Sequence, residues 1–276
     1  MKVIGLFIVV STGALLIYAT ADFPPWADPA SPAHTHVSPH YIEKAIHETS
    51  VPNIVTAVLA DYRGFDTMFE AAVIFAAGVA CFFLLRIFKP EGPKQRLYRH
   101  TVTDMTIRIR DTAKPPVDLE EFERIDTLWT PRDLIVTTVC RLLIPFIQLF
   151  ALYVIAHGHY SPGGGFQGGV IFGASIILLA ISHDLRTALK RIGEKVTGLL
   201  CSAGVFIYSG TGALCLLMGL NFLDYSGLTS ILNVDPITAR SHGILIVEIG
   251  VGLSVMAAMI WIYNNLSSSG RYDQGL

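Results

Sequence analysis

Charge is scarce in this chain. Asp, Glu, Lys and Arg make up 15% of its 276 residues, where a soluble domain carries roughly 25%. No basic tract suited to nucleic acid is present, and the formal net charge of -2 points to no particular partner. Cysteine is equally thin. Cys81, Cys140, Cys201 and Cys215 all lie in apolar runs, and no two form a CxxC pair. That pattern argues against a disulfide framework or a metal knuckle and reads as small buried hydrophobes. No lysine follows a glycine-rich loop, and no haem signature or nucleophile–base pattern is visible. Nothing here supports a free-standing enzyme or a bound cofactor. His34, His36 and His40 lie in the proline-rich stretch ADFPPWADPASPAHTHVSPH, which is expected to be irregular or locally extended. They lack fixed ligand spacing and read as polar loop residues.

What the chain does have is apolar length. Hydrophobic residues make up 52% of it, and they gather into runs at 3–20, 71–88, 134–156, 166–181, 196–219 and 243–263. A helix needs about 20 apolar residues to cross a hydrocarbon core. The expectation is an all-α polytopic membrane protein with about six transmembrane helices. The first run has one lysine and ends in ATA, as a signal peptide would, but we expect an uncleaved first span. Nine Lys or Arg residues lie between 89 and 132, and Arg186, Lys190, Arg191 and Lys195 follow the fourth run. The opposite connections hold far fewer. The positive-inside rule then places both termini in the cytoplasm of a multi-pass inner-membrane protein. Three parts follow: a two-span module at 1–88, a charged cytoplasmic linker at 89–133 and a four-span domain at 134–276. TVTDMTIRIRD in the linker alternates in part, so the segment is either a short hairpin or a linker ordered by partner subunits.

Several polar residues stand where they are costly. The stretch 51–60 is apolar but too short to span, and is expected to pack against protein, with Glu48 or Thr49 capping its start and Pro52 in its first turn. Asp61, Arg63, Asp66 and Glu70 follow it, and contacts of Asp61 and Arg63 around Gly64 would fix the entrance to the second span. Glu248 lies inside an apolar run, where an ionisable group lines a pathway or pairs within the bundle. Arg141 is expected to snorkel or to meet Asp184, and Gln148 to hydrogen-bond another helix or water. AHGHYSPGGGFQGGVIF, 156–172, reads as a tight reversal: Pro162 stops a helix, Gly163, Gly164 and Gly165 turn it, and Gly168 and Gly169 permit close approach. An outward-facing polar cluster of His157, His159, His242, Glu248 and Glu70 is expected there.

At these residues the sequence resembles a known family. RLLIPFIQLFALYVIAHGHYSPGGGFQGGVIFGASIILLAI is similar to the B subunit of Mrp-type multisubunit Na+/H+ antiporters, the MnhB family, over roughly residues 130–265. That family generally carries aspartate in an FD-G-V context. Here the sequence is VEIGV, and Glu248 occupies the acidic position. VPNIVTAVLADYRGFDTMFE resembles two modules of such complexes: the C-terminal portion of the A-type antiporter protein, and the small E-type protein of membrane-bound hydrogenases. Asn53, Asp61, Arg63, Gly64, Asp66, Thr67 and Glu70 are the matched residues. The resemblance implies a fusion of two neighbouring subunits. It further implies a supporting, non-catalytic role in a cation-translocating complex, with other antiporter or hydrogenase-like subunits and lipids as partners. Na+ or H+ would be the cargo, with Glu70, Arg141, His157, His159 and Glu248 carried over as ion-path residues.

Overall fold

A computed structural model describes residues 2–87, 95–103, 105–110, 121–124, 134–268 and 270. Most of the linker expected at 89–133 therefore lies outside the described residues. The chain forms two compact units, Met1–Ala45 and Ile46–Leu276. The first holds helix α1 (Lys2–Ala19), a 3-10 turn at Thr20–Asp22 and a wide π turn at Ala33–Val37 that runs into α2 (Ser38–Thr49), whose last four residues belong to the second. The latter half of the proline-rich stretch is thus helical, contrary to expectation. Pro32 and Pro39 lie before or within a first helical turn, where a missing N–H costs little. α1 is apolar on every face, and its side chains stand exposed, from Ile8 at 56% to Val3 at 79%.

The second unit is built around one helix. After α3 (Ile54–Ala57) and a π turn at Val58–Tyr62 come α4 (Gly64–Ile87), α5 (Leu134–Ala156), α6 (Gly165–Ser182), α7 (Leu185–Arg191), α8 (Glu194–Leu217), α9 (Thr229–Leu232) and α10 (Pro236–Ser267). Among the described residues six helices, α1, α4, α5, α6, α8 and α10, are long and apolar enough to cross a membrane. The protein is an all-α, six-helix polytopic chain, with one small addition. Strands β1 (Gln95–His100), β2 (Thr106–Arg110) and β3 (Phe122–Arg124) form an antiparallel sheet in the order β2-β1-β3. The alternating TVTDMTIRIRD segment supplies β2 and the turn before it.

α10 is the hub. Burial covers 72% of its most apolar window, against 44% for α6 and 11% for α4. Asp235 starts it: its carboxylate accepts from Thr238 N at 3.1 Å and from Thr238 Oγ1 at 2.7 Å, ahead of Pro236 in the first turn. It runs 32 residues, well beyond the expected 243–263. α4, α6 and α8 pack on it, and α5 packs mainly on α6 while also touching α10.

Small residues set the spacing. A Cβ on Gly165 would fall onto the Glu248 carbonyl oxygen, and one on Gly169 would stand 2.7 Å from the Gly252 carbonyl oxygen. Across the other face of α10, a Cβ on Gly250 would lie 2.8 Å from the Gly204 carbonyl oxygen. Two close backbone crossings therefore flank α10, as small-residue packing between membrane helices permits. α4 meets α10 differently, through Phe82 and Trp261, whose ring centroids lie 5.4 Å apart.

The Gly165 crossing gives a direct prediction. Gly165→Ala forces backbone apart, so it is expected to cost about 1–3 kcal/mol. Gly210→Ala, whose Cβ would meet only Phe206 at 3.8 Å, serves as the control. Thermal unfolding of the purified protein in detergent checks this. Equal midpoints for the two variants would contradict the crossing.

Candidate functional site: a buried carboxylate at the glycine turn

α5 ends at Ala156, before Pro162, so the proline does not terminate it. The chain leaves through a tight turn in which Tyr160 N and Ser161 N both donate to His157 O at 3.0 Å. Gly164, at φ 138°, takes a left-handed backbone that a side chain would resist, and α6 begins at the next residue. The loop is stitched to the other half of the unit by Asn53. Its Nδ2 donates to Gly158 O at 2.7 Å and Ser161 O at 2.9 Å, and its backbone N–H donates to His159 O at 2.9 Å. Asn53 Oδ1 meanwhile accepts from Val55 N at 3.1 Å, so Asn53, rather than Glu48 or Thr49, caps α3. The apolar stretch that follows packs against protein as expected, with Thr56, Ala57 and Ala60 buried.

Glu248 lies beneath this loop, 7% exposed. Thr56 Oγ1 is 2.9 Å from Gly158 O and 3.4 Å from Glu248 Oε1. Glu248 Oε2 stands 3.6 Å from His159 Nδ1 and has no hydrogen-bond partner among the described residues. His159 Nε2 is 2.9 Å from the Ser241 carbonyl oxygen, so Nε2 carries the proton. Nδ1 is then a bare acceptor in the neutral ring and a second N–H in the charged one. The Glu248–His159 pair thus has room for one exchangeable proton between its facing atoms. Glycines crowd the carboxylate: a Cβ on Gly158 would be 3.0 Å from Oε2 and one on Gly164 2.9 Å from Oε1. A cavity of about 190 Å³ opens beside it, lined among others by Thr56, Thr67, Glu70, Gln167 and Glu248.

The expected cluster is therefore brought together in part. Glu248 and His159 face each other, and Glu70 shares the cavity beside Glu248, which His159 does not line, from an exposed position on α4. His157 points away, stacked on Tyr153 at 4.1 Å between ring centroids, and His242 is exposed. Arg141 lines a separate cavity with Gln148 and makes no ion pair among the described residues; Asp184 instead caps α7, accepting from Thr187 N at 2.5 Å. Thr56 was not singled out by sequence reasoning. A threonine in an apolar run gives little signal until the loop it touches is known.

A model of the domain related to the MnhB subunit of the Na+/H+ antiporter matches residues 135–261, and a model of MbhE, the E-type protein of MBH, matches residues 3–98. A putative antiporter subunit mnhB2 of Staphylococcus haemolyticus is 31% identical over 133 residues, covering 46% of this chain and 94% of that one. The chain belongs to the MnhB-related family of antiporter subunits. Its residues 135–261 form the MnhB-type part, which contains Arg141, the glycine turn and Glu248. The probable A/B subunit of a K(+)/H(+) antiporter from Rhizobium meliloti (strain 1021) is 27% identical over 199 residues, 70% of this chain but only 18% of that relative. Among solved structures, a chain of the Mrp complex from Dietzia sp. DQ12-45-1b has the same fold, with TM-score 0.60 and 24% identity over 99% of this chain and 26% of that one. A chain of the membrane-bound sulfane sulfur reductase, an archaeal respiratory membrane complex, gives TM-score 0.57 and 23% identity, covering 96% and 97%.

A second buried carboxylate lies in this MnhB-related chain. Asp61 pairs with Arg240 of α10 at 2.8 Å, while Arg63 pairs with Asp66 at 2.5 Å. The contacts expected around Gly64 thus form with different partners. Two buried tyrosines take up carbonyls around the junction of the π turn and α4: Tyr225 Oη donates to Ala60 O and Tyr208 Oη to Gly64 O, both at 2.9 Å. Burial raises the Asp61 carboxyl above its ordinary 3.8, and attraction to Arg240 only partly offsets that.

Arg240→Gln leaves Asp61 buried without its partner and is expected to cost about 3 kcal/mol near neutral pH. The sign of the pH dependence follows from the raised carboxyl. The neutral acid is the form the fold prefers, so the deficit is greatest above the folded pKa and shrinks as pH falls and Asp61 gains its proton. Thermal midpoints of wild type, R240Q, D61N and the double variant between pH 4 and 8 test this; a deficit that grows on acidification would refute it.

Proposed function

We propose that this chain is a non-catalytic membrane subunit of a multisubunit cation/proton antiporter, and that Glu248 is a station on its Na+ or H+ path. One observation carries the reading: a carboxylate oxygen is buried, lacks a hydrogen-bond partner among the described residues, and borders a cavity shared with Glu70. Such an oxygen within a membrane bundle calls for a proton or a cation. Glu248, the Thr56 hydroxyl and the Gln167 amide offer oxygen ligands of the kind a hard cation takes. His159 supplies a titratable neighbour, so cation entry and proton departure compete for the same carboxylate. The MnhB-type family membership supports the complex-level role. The A/B designation of the Rhizobium meliloti relative supports a natural fusion of a two-span module with a four-span one through the linker at 89–133. Both termini then lie in the cytoplasm, with the glycine turn facing outward.

A second reading is favoured by the sulfane sulfur reductase chain, which this protein matches along 97% of that chain's length. In that case the protein belongs to the membrane arm of a redox-driven complex, and electron transfer resides in its partners. The proteins that co-purify with the tagged chain distinguish the two: an antiporter set alone, or one that includes redox proteins.

The test of the ion path is Glu248→Gln in the assembled complex, in everted vesicles, with cation-induced proton exchange followed separately for Na+ and K+. Exchange is expected to fall by about two orders of magnitude, the scale of a lost proton-transfer group. Assembly on native gels should be unchanged and E248D partly active. Unchanged exchange from pH 6 to 9 removes Glu248 from the path. Lost assembly together with an inactive E248D makes the residue structural.

A further inference from the structure

The outer cavity leaves Arg141 unexplained. It sits in the second turn of α5, about 22 Å along the helix from Ala156 and the glycine turn. A cavity of about 570 Å³ opens beside it, with Arg141, Gln148, His183, Thr187 and Arg191 as its polar walls. Among the described residues no carboxylate lines it. A second cavity, of about 730 Å³, adjoins the first through the shared walls Phe172 and Ile192. Its lining is aliphatic and aromatic side chains with glycine, among them Leu152, Ile155, Leu200 and Met256. The result is one two-zone site, cationic at the end of the bundle where α7 carries its basic last turn and apolar from there through the middle to Ala156 and Leu245.

We propose that this site holds one anionic phospholipid, its phosphate on Arg141 and Arg191 and an acyl chain in the apolar chamber. An arginine within the hydrocarbon layer is costly without an anion. The planar guanidinium matches phosphate oxygens two at a time, and the Thr187 hydroxyl and His183 ring add further polar contacts. Basic pockets between helices at the cytoplasmic leaflet suit lipid phosphates, and positive charge in 186–195 assigns this end to that leaflet. An acidic helix from a neighbouring protein of the complex would meet Arg141 with one carboxylate. It would not match a chamber that gathers two arginines, a histidine and a threonine. The lipid seals a gap between α5 and α8 that runs from the Arg141 end up to Ala156 and Leu245. This inference rests on the membrane setting and not on the ion path, so either stands if the other fails.

The experiment uses the purified complex in nanodiscs of phosphatidylcholine alone or with one-fifth phosphatidylglycerol. Lipid retention is read by native mass spectrometry and thermal stability by unfolding. The wild type is expected to retain one more phosphatidylglycerol than R141Q/R191Q. Affinity in the double variant should drop about thirtyfold, roughly fivefold for each lost cation. R141K/R191K, which keeps both charges but loses the two-pronged match, should fall between wild type and the double glutamine variant. Equal retention by wild type and the double variant overturns the proposal. So does stabilisation by inorganic phosphate equal to that by phosphatidylglycerol, or a neighbouring protein's carboxylate found on Arg141. Should the double variant fail to assemble, R191Q alone, at an exposed position, is expected to lose about fivefold; an unchanged affinity there overturns the proposal equally.

Discussion

Beside Glu248, two helix backbones approach so closely that no side chain fits between them. The start of α6 lies against the backbone of α10 at Glu248, where Gly165 touches the carbonyl oxygen of that same residue. This contact holds the glycine loop over the carboxylate, and Gly158 and Gly164 wall it in on either side. Any bulk at these positions would lift the loop and let water or lipid reach Glu248. The glycines that look like turn residues in the sequence therefore act mainly on electrostatics, by setting how far a charge is from solvent.

The two buried carboxylates illustrate two outcomes of burial. Asp61 has a guanidinium at 2.8 Å and sits among tyrosine hydroxyls that hold the surrounding backbone. Its charge is answered within the fold, so it works as a clasp between the π turn and α10. Glu248 has a threonine at 3.4 Å and a histidine at 3.6 Å but no fixed cation, and its Oε2, like Asp61 Oδ2, makes no hydrogen bond among the described residues. Its charge is answered only in part, and it borders a cavity. Both lie against α10, one near its start and one three turns in, so a single rigid element carries the clasp and the site.

The apolar runs made the six long helices legible, because length and hydrophobicity alone decide which segments cross a membrane. Helix ends were less so. α4 begins at Gly64, seven residues before its apolar run, since Asp66 and Glu70 belong to its first two turns. The stretch 38–49 is helical despite its proline and histidine content, because Pro39 falls in the first turn. At the site, Glu248 stood out as a charge in an apolar run, and His159 and Glu70 as polar residues near it in level. Sequence could not separate His159 from His157, two residues away, because which ring faces inward depends on how the loop is anchored. Asn53 performs that anchoring from the other half of the chain. The partner of Asp61 was hidden for the same reason: periodicity reports a face, not the neighbour that meets it.

The length of α10 has a consequence for where this protein can work. Its 32 residues extend about 48 Å, while a hydrocarbon layer is about 30 Å deep. A lone rod of that kind would lean until its oily part fitted the local bilayer, and a residue in its middle would rise or sink with lipid composition. Here the crossings with α6 and α8 fix the lean from within. The height of Glu248 relative to α6 and α8 is thus set by those crossings and not by how α10 alone would lean.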